Sequence, residues 1–360
     1  MDNLTDFYNS YKEADDLLEF KMASDVESVD VISTGSYSLD DALSSGGLPR
    51  GRIIQYYGPP GSGKSLMTLL AIREAQALDP TAKQVYIDAE QTFDPNWANK
   101  LKLNLKNLGI LEGEMAANGR RCFEYLLGVP KEDAKTHAFA GKKKEGLLDK
   151  IAKKEINVNM IVLDSLGCIV PPGEDVAAVG KTEMTRMARF LTPTFKKLSL
   201  EVKKANIPFI VINHKRDTMD PYGPDHTFAG GNTYGHSLSA NIYYEAVSRK
   251  DALIFDDKEQ RIGHTIRAAV EKSKFGAQRK CEFKVNFSIG VVDAHEEIAQ
   301  LALNYDIVKK PTTVTHEFDG QKWVGFNKYC EAIRDNADLA KTLLEKIKEA
   351  RANNLKIISQ

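Results

Sequence analysis

Gly58-Pro59-Pro60-Gly61-Ser62-Gly63-Lys64-Ser65 is the stretch on which the reading of this chain turns. Its spacing, a glycine, four residues, then Gly-Lys-Ser, is that of a phosphate-cradling P-loop. The apolar run Ile53-Ile54-Gln55-Tyr56-Tyr57 precedes it and suits a buried strand, and the periodic segment from Leu66 to Leu78 follows it and suits a helix. Strand, Gly-rich loop and helix in that order is the context the motif requires. Glycines 58, 61 and 63 let the backbone turn its N–H groups inward as an anion nest, and the helix N-terminus adds a positive partial charge at the same point. Gly58 through Leu66 is therefore expected to hold nucleotide phosphates. Within it, Lys64 reaches the β and γ phosphates and Ser65 is a ligand for Mg²⁺.

The rest of the pattern points to an α/β protein with a mostly parallel, twisted sheet flanked by helices. Strand-like runs at 52–57, 84–88, 159–164, 207–213, 241–248, 264–271 and 281–287 alternate with helical ones at 64–78, 94–103, 119–127, 144–155 and 182–205. That rhythm builds parallel sheets, and the close spacing of the last runs makes that end antiparallel. Residues 1–30 read as a helical arm too small to bury its own apolar stripe, so it is expected to pack on something else. Residues 31–290 read as the nucleotide-binding core. Residues 291–360 read as a small α+β domain, with a helix at 296–305, a β segment at 308–325 and helices at 327–335 and 337–352. Segment 128–146 is polar and reads as a surface insertion, its Lys142-Lys143-Lys144 run a solvated face. Residues 214–231 read as a long loop without hydrophobic period, and such loops are usually functional.

Composition excludes several classes. The chain has 360 residues, 42% of them apolar, with no unbroken apolar run of the ~20 residues a membrane helix needs. The N-terminal stretch is acidic and lacks a signal-peptide core. The four cysteines, Cys122, Cys168, Cys281 and Cys330, stand far apart, which speaks against a zinc site or a disulfide framework and for a reducing cytoplasm. The seven histidines form no ligand cluster and read mostly as core or surface residues. A net charge of −1 means that nucleic-acid binding cannot be read from overall charge, although a local basic surface suffices for it.

Chemistry beyond phosphate capture needs carboxylates near the loop. Met160-Ile161-Val162-Leu163-Asp164 ends an apolar run on Asp164, and a strand neighbouring the loop strand would bring that carboxylate to the metal. Val85-Tyr86-Ile87-Asp88-Ala89-Glu90 is expected to lie beside the loop strand. Glu90 would then project at the C-terminal edge of the sheet and polarise water; Asp88 could share the role, or both could be caps. Asp94 and Trp97 lie one helical turn apart. They are either a cap and a core aromatic, or an amine acceptor and a stacking face for a purine. Asn213-His214 ends a strand just before the long loop, as a plain terminus or as a sensor of phosphate. Lys272 and Lys274 share one strand face, solvated unless something anionic meets it.

Taken together, these stretches resemble the bacterial RecA recombinases. Ile32-Ser33-Thr34-Gly35-Ser36-Tyr37-Ser38-Leu39-Asp40 and Gly46-Gly47-Leu48-Pro49-Arg50-Gly51-Arg52-Ile53 look like the family's leading segment, with the P-loop at the same offset. Residues 86–101 are similar to its catalytic-glutamate and adenine-binding stretch, and 161–171 to its metal strand. The likeness runs from about residue 26 to about 350 and is weakest across 105–158. It implies an ATPase dependent on DNA and Mg²⁺ that assembles as a helical filament on single-stranded DNA and pairs it with homologous double-stranded DNA. It implies no membrane partner, and it admits single-strand-binding and loader proteins. It makes Glu90 the catalytic base, Asp164 the metal-associated acid and His214 the γ-phosphate sensor. Residues 171–185 and 215–229 become two DNA-binding loops. Met184, Arg189 and Lys196 lie at or beside the first; Lys215 and Arg216 open the second, and Gly230, Gly231 and Asn232 follow it. Lys272 and Lys274 would reach the ATP of a neighbouring copy.

The chain also departs from the bacterial pattern. His214 stands where bacterial members usually have Gln, and Trp97 where they usually have Tyr. The 128–146 insertion has no counterpart, and no acidic tail ends the chain. The Asn-His pair and the missing tail lean toward a phage-type member, at work in a bacterial or host cytoplasm. Two other readings share the P-loop, Glu90 and Asp164 or part of that set: a hexameric helicase-type motor and a P-loop kinase for a small metabolite.

Overall fold

A computed structural model describes residues 29–129, 144–172, 182–217, 226–228 and 234–358, with backbone only for 182–185, 216–217, 226–228, 250 and 354–358. The chain divides into two units, Met1–Asp30 and Val31–Gln360, and the strands and helices of the described residues lie in the second. The arm expected at 1–30 lies outside the described residues apart from its last two.

The strands in chain order are β1 (Val31–Ile32), β2 (Leu48–Pro49), β3 (Ile53–Gly58), β4 (Lys83–Asp88), β5 (Leu108–Leu111), β6 (Val158–Asp164), β7 (Phe209–Asp217), β8 (His226–Phe228), β9 (Ala240–Ala246), β10 (Leu253–Phe255), β11 (Arg261–Ser273), β12 (Lys280–Asn286), β13 (Gly290–Val291), β14 (Thr315–Phe318) and β15 (Gln321–Val324). Among the described residues the main sheet runs β13-β12-β11-β9-β3-β7-β6-β4-β5, with β10 paired to β11 and β8 to β7. From β9 to β5 every pairing is parallel; from β9 to β13 every pairing is antiparallel. The mostly parallel sheet with an antiparallel end is thus observed. Every residue of β3 and β6 is buried, as strands covered on both faces must be.

Helices cover both faces. Lys64–Leu78 is buried nearly all round and packs with Leu39, Tyr56, Met160 and Ile210 in one core. Gly119–Leu127, Leu147–Ala152 and Thr182–Ala205 form the other, around Phe123, Phe195 and Phe209. After β13 come helix Ala294–Asn304, the β14–β15 hairpin and helices Phe326–Asp335 and Ala337–Ile358, which enclose a third core built on Ile298, Tyr329, Ile333 and Leu343. Polar contacts join this part to the start of the core. Ser36 Oγ donates to Glu297 Oε1 at 2.7 Å, while Tyr305 Oη and Arg351 Nε donate to Asp41 Oδ1 at 2.6 and 3.0 Å.

Three expectations are corrected. The strand ending in Asp88-Ala89-Glu90 does not lie beside the loop strand, since β7 and β6 stand between β3 and β4. Nor does the Asp164 strand neighbour β3, because β7 separates them. The reason is burial: β6 and the start of β7, residues 209–212, are buried on both faces and take central places, whereas β4 begins with the exposed Lys83 and sits next to the outermost parallel strand. Asn213-His214 does not end its strand either. β7 runs on to Asp217, and Lys215, Arg216 and Asp217 pair antiparallel with Phe228, Thr227 and His226, so part of the 214–231 stretch is a strand pair rather than loop. Alternation was hidden there because Phe228 is the one apolar residue among the six that pair.

The edge strand β5 had no expectation attached; Leu108-Gly109-Ile110-Leu111 is too short to carry a period. The polar 128–146 segment falls mostly outside the described residues, although Val129 and Lys144 pair backbone to backbone at its base.

Candidate nucleotide-binding site

The parallel strands bring four segments to one edge of the sheet. Gly58 lies in register with His214, and Asp88 with Asp164. All four positions stand at or near strand C-terminal ends, where ligands bind in open α/β sheets.

The loop after β3 is built for an anion. Gly58, Gly61 and Gly63 have positive φ of 154°, 71° and 93°. A Cβ on Gly58 would sit 2.1 Å from the carbonyl oxygen of Tyr244, so only glycine fits there. A Cβ on Gly61 would meet nothing within 4 Å, so the loop leaves open space above it. Gly63 is the N-cap of helix Lys64–Leu78 and supplies no side-chain hydrogen bond to the first turn. Its free N–H groups therefore face the loop, as phosphate binding needs. Lys64 is buried, and its Nζ donates to the carbonyls of Gly58 and Pro59 at 3.1 and 2.8 Å. Burial lowers its pKa, against the raising effect of Asp164 and Glu90. Ser62 is buried, and its Oγ has no hydrogen-bond partner.

A hydroxyl and a carboxylate suited to a hard cation lie next to this loop. Ser65 Oγ donates to Asp164 Oδ2 at 3.0 Å, although two strand positions separate β3 from β6. Tyr86 Oη also donates to Asp164 Oδ2, at 2.5 Å. Burial raises the Asp164 carboxyl to about 6, opposed by the Tyr86 and Ser65 hydrogen bonds and reinforced by the charge of Glu90. The Asp164–Ser165 peptide is cis. Among the described residues no three His, Cys, Asp or Glu side chains cluster as a ligand set, so the donors offered to Mg²⁺ are one hydroxyl and one carboxylate.

Glu90 faces this cluster. Its Oε1 lies 2.7 Å from His214 Nε2. The His214 hydrogen bond holds the Glu90 carboxyl below the usual range, helped by Ser165, while partial burial opposes it. Asp88 is buried and accepts from the Phe93 N–H at 2.8 Å, a cap for the following turn, and its other oxygen has no partner. Asp94 caps helix Pro95–Lys100 by accepting from the Asn96 N–H at 2.8 Å. Trp97 packs on the main core, and its indole N–H donates to the Phe287 carbonyl at 2.5 Å. Together Trp97, Phe287, His264 and the loop residues Gly61, Gly63, Lys64, Ser65 and Leu66 line one cleft. Asp94 does not line it. A larger hollow, lined by Met115, Arg121, Tyr125 and Lys144, lies at the insertion and lacks the loop's anion cradle, so size does not mark the site.

His264 and Phe287 carried no signal in the sequence, being a lone histidine in a strand and an aromatic after one. Their placement depends on β11 and β12 running antiparallel, which brings the two rings together, tilted, with centroids 5.5 Å apart. Tyr86 could have been picked out by period two, since it shares a strand face with Asp88.

Lys272 and Lys274 are not brought to this loop. Ile266, which a Cβ on Gly63 would strike, lies six residues before Lys272 on β11. At the strand rise this is roughly 20 Å. The two lysines donate instead to the carbonyls of Gly235 and His236, at 2.5 and 3.4 Å. Arg189 and Lys196 are exposed, seven residues apart on helix Thr182–Ala205 and hence on one face. Met184 lies in the first turn of that helix, and Arg216 in β7; their side chains are not described. Lys215 is half-buried on β7. Gly230, Gly231 and Asn232 lie outside the described residues.

Comparison with known proteins places this arrangement. The profile of the RecA N-terminal domain matches residues 15–128 and 138–292, and its gap falls inside the polar insertion. Protein RecA of Porphyromonas gingivalis is 34% identical over 92% of this chain and 88% of its own length. Protein RecA of Leptospira biflexa is 29% identical over 90% of this chain and 76% of its own, and that of Wigglesworthia glossinidia brevipalpis 29% over 89% and 87%.

Proposed function

Because the chain belongs to the RecA family, we propose that it is an ATP-dependent recombinase that assembles on single-stranded DNA, pairs it with a homologous duplex, and hydrolyses ATP in response to DNA. The observation that carries this reading is the convergence of Lys64, the Ser65–Asp164 pair and the Glu90–His214 pair on one sheet edge.

The loop N–H groups and Lys64 bind and orient the phosphates, and Lys64 leaves the Gly58 and Pro59 carbonyls to do so. Ser65 and Asp164 would hold Mg²⁺, which would supply charge neutralisation to the phosphates. Glu90, whose carboxyl His214 holds below the usual range, takes a proton from the attacking water. His214 meets Glu90 and lies in register with Gly58 at the start of the loop, and in this reading it reports the presence of the last phosphate. Trp97 and Phe287 bracket the base, and Asp94 keeps its capping role.

Lys272 and Lys274, too far along β11 for their own loop, serve the nucleotide of a neighbouring copy, where two cations stabilise the developing charge. Nucleotide would then sit at a seam between copies and favour a helical filament. Arg189, Lys196, Lys215 and Arg216 contact the DNA backbone. Met184 lies beside the strand, and the amides of Gly230, Gly231 and Asn232 hold phosphates. Sequence neutrality follows from backbone contact. Single-strand-binding and loader proteins are natural partners, and the cytoplasm is the natural compartment. Among the described residues no helix is long and apolar enough to cross a membrane.

ATPase assays with and without single-stranded DNA, followed by imaging of the products, test the proposal. DNA-stimulated hydrolysis with open helical filaments is expected. Closed rings that unwind duplex without pairing would mark a helicase-type motor, and indifference to DNA would favour the small-molecule kinase.

A further inference from the structure

Four polar side chains are buried side by side across three central strands and the turn that precedes the third. Asn213 on β7, Gln55 on β3 and Tyr234 in the turn Tyr234–Ser237 are fully enclosed, and Asn241 on β9 is nearly so. Asn213 Nδ2 donates to Tyr234 Oη at 2.7 Å and to Gln55 Oε1 at 3.3 Å. Tyr234 Oη donates to Gln55 Oε1, and Gln55 Nε2 to Asn241 Oδ1 at 2.8 Å. Burying amides and a phenol in an otherwise apolar sheet is costly unless each is satisfied, and a satisfied network fixes one arrangement of its members.

That network continues to the candidate catalytic pair. Asn213 Oδ1 accepts from the His214 N–H at 2.8 Å, and His214 Nε2 meets Glu90 Oε1 at 2.7 Å. A hydrogen-bonded path thus runs Tyr234, Asn213, His214, Glu90. At its other end, Tyr234 adjoins the helix proposed to meet DNA. Its ring packs on Phe195 of helix Thr182–Ala205, with centroids 4.8 Å apart, and its backbone follows the second loop in sequence. The next residues of its turn, Gly235 and His236, accept from Lys272 and Lys274.

We infer that Tyr234 is a positioning residue whose hydroxyl sets His214 against Glu90, so that displacement of the turn by DNA is passed to the water-activating carboxylate. The inference rests on the recombinase reading for its trigger, but not for the hydrogen-bonded path. The hydroxyl clamps the Asn213 amide, and the amide oxygen holds the His214 backbone. Loss of the hydroxyl removes the shorter of the amide's donor contacts to Tyr234 and Gln55, so the His214 backbone is held less firmly and the imidazole is less well placed on Glu90.

Tyr234→Phe tests this, since it keeps the ring on Phe195 and removes only the hydroxyl. ATP affinity, kcat with and without single-stranded DNA, and the acid limb of the pH–rate profile are to be measured, together with the melting midpoint. Besides His214, the Ser165 hydrogen bond and the charge of Lys64 hold the Glu90 carboxyl low, and Asp164, Tyr86 and Cys168 couple to its charge; the substitution alters none of these. The expected result is ATP affinity within twofold of wild type, a kcat lowered at least about tenfold, and an acid limb moved to higher pH. Asn213→Ala should move the limb the same way, and the double variant should show little further change. A wild-type kcat and acid limb in Tyr234→Phe would overturn the inference. So would additive effects in the double variant, or a lowered melting midpoint with the acid limb in place. The limb is readable from hydrolysis without DNA. A wild-type enzyme indifferent to DNA would therefore sink the recombinase reading while leaving this path open to test.

Discussion

Glu90 Oε1 and His214 Nε2 lie 2.7 Å apart although their strands, β4 and β7, are separated by β6. The contact crosses the C-terminal edge of the sheet above Asp164. It gives the candidate base a partner that holds its carboxyl low, whereas nearby Asp164, more deeply buried, is pushed up to about 6. Two carboxylates within one site are thereby set for different duties.

Replacing His214 by Ala removes the first cause of the depressed Glu90 pKa. A base must be ionised to act, so a lowered pKa extends activity to lower pH. In His214→Ala the acid limb of kcat is expected to move to higher pH, and Glu90→Gln should lower kcat by on the order of 10² or more while ATP still binds. Steady-state rates between pH 4.5 and 8 check both. An unmoved acid limb in His214→Ala would falsify the assigned pairing.

The two loop glycines should fail in different ways. Gly58→Ala drives a Cβ to 2.1 Å from the backbone oxygen of Tyr244, so it should cost roughly 2 kcal/mol or more of folding stability. Gly61→Ala meets no atom within 4 Å and has only its φ of 71° to contend with. It should cost about 1 kcal/mol of stability but weaken ATP binding, because its methyl enters the space above the loop. Urea melts and nucleotide titrations separate the two; equal losses of stability would contradict the geometry.

Glu297 ties the segment after β13 to Ser36 and Tyr37. Burial raises its carboxyl to about 7 from an ordinary 4.5, against the hydrogen bonds of Ser36 and the Tyr37 N–H. A raised folded-state pKa stabilises the fold below the unfolded value, and that contribution is lost as pH rises through the folded one. Wild type should therefore lose on the order of 3 kcal/mol from this group between pH 4.5 and 7.5, and Glu297→Gln should flatten that slope. Denaturant melts of both proteins at several pH values decide it, a common slope being the contrary outcome.

Lys272→Met with Lys274→Met should leave ATP binding by a dispersed copy within twofold of wild type. DNA-dependent hydrolysis should drop by at least about 10³ if two cations act in trans. Mixing this variant with Lys64→Ala tests the seam directly. Each lacks what the other supplies, so partial recovery of activity in the mixture is expected, and none would count against presentation between copies.

Much of the site was legible because its chemistry is local. The loop needs glycines at fixed offsets ahead of a helix, and helix Lys64–Leu78 follows it within the limits its apolar period gives. Asp164 could be singled out because an apolar run ends on it. The antiparallel pairing of β7 with β8 escaped notice because a single apolar residue, Phe228, among six paired positions leaves no hydrophobic alternation. His264, Phe287 and Tyr234 escaped for a related reason. Each is an ordinary residue in its own segment and gains meaning only from what another strand or turn places beside it.

The sequence by itself determined the strand–loop–helix unit, the alternation that makes a parallel sheet, and the residue types able to grip phosphate, since these depend on contacts between near neighbours in the chain. Only the tertiary structure decided the order of the strands, and with it the reach of Glu90 to His214, of Ser65 to Asp164, and of Tyr234 to Asn213. Strand order follows from which apolar faces cover one another best. That is a competition among all strands at once, and no single segment carries its outcome.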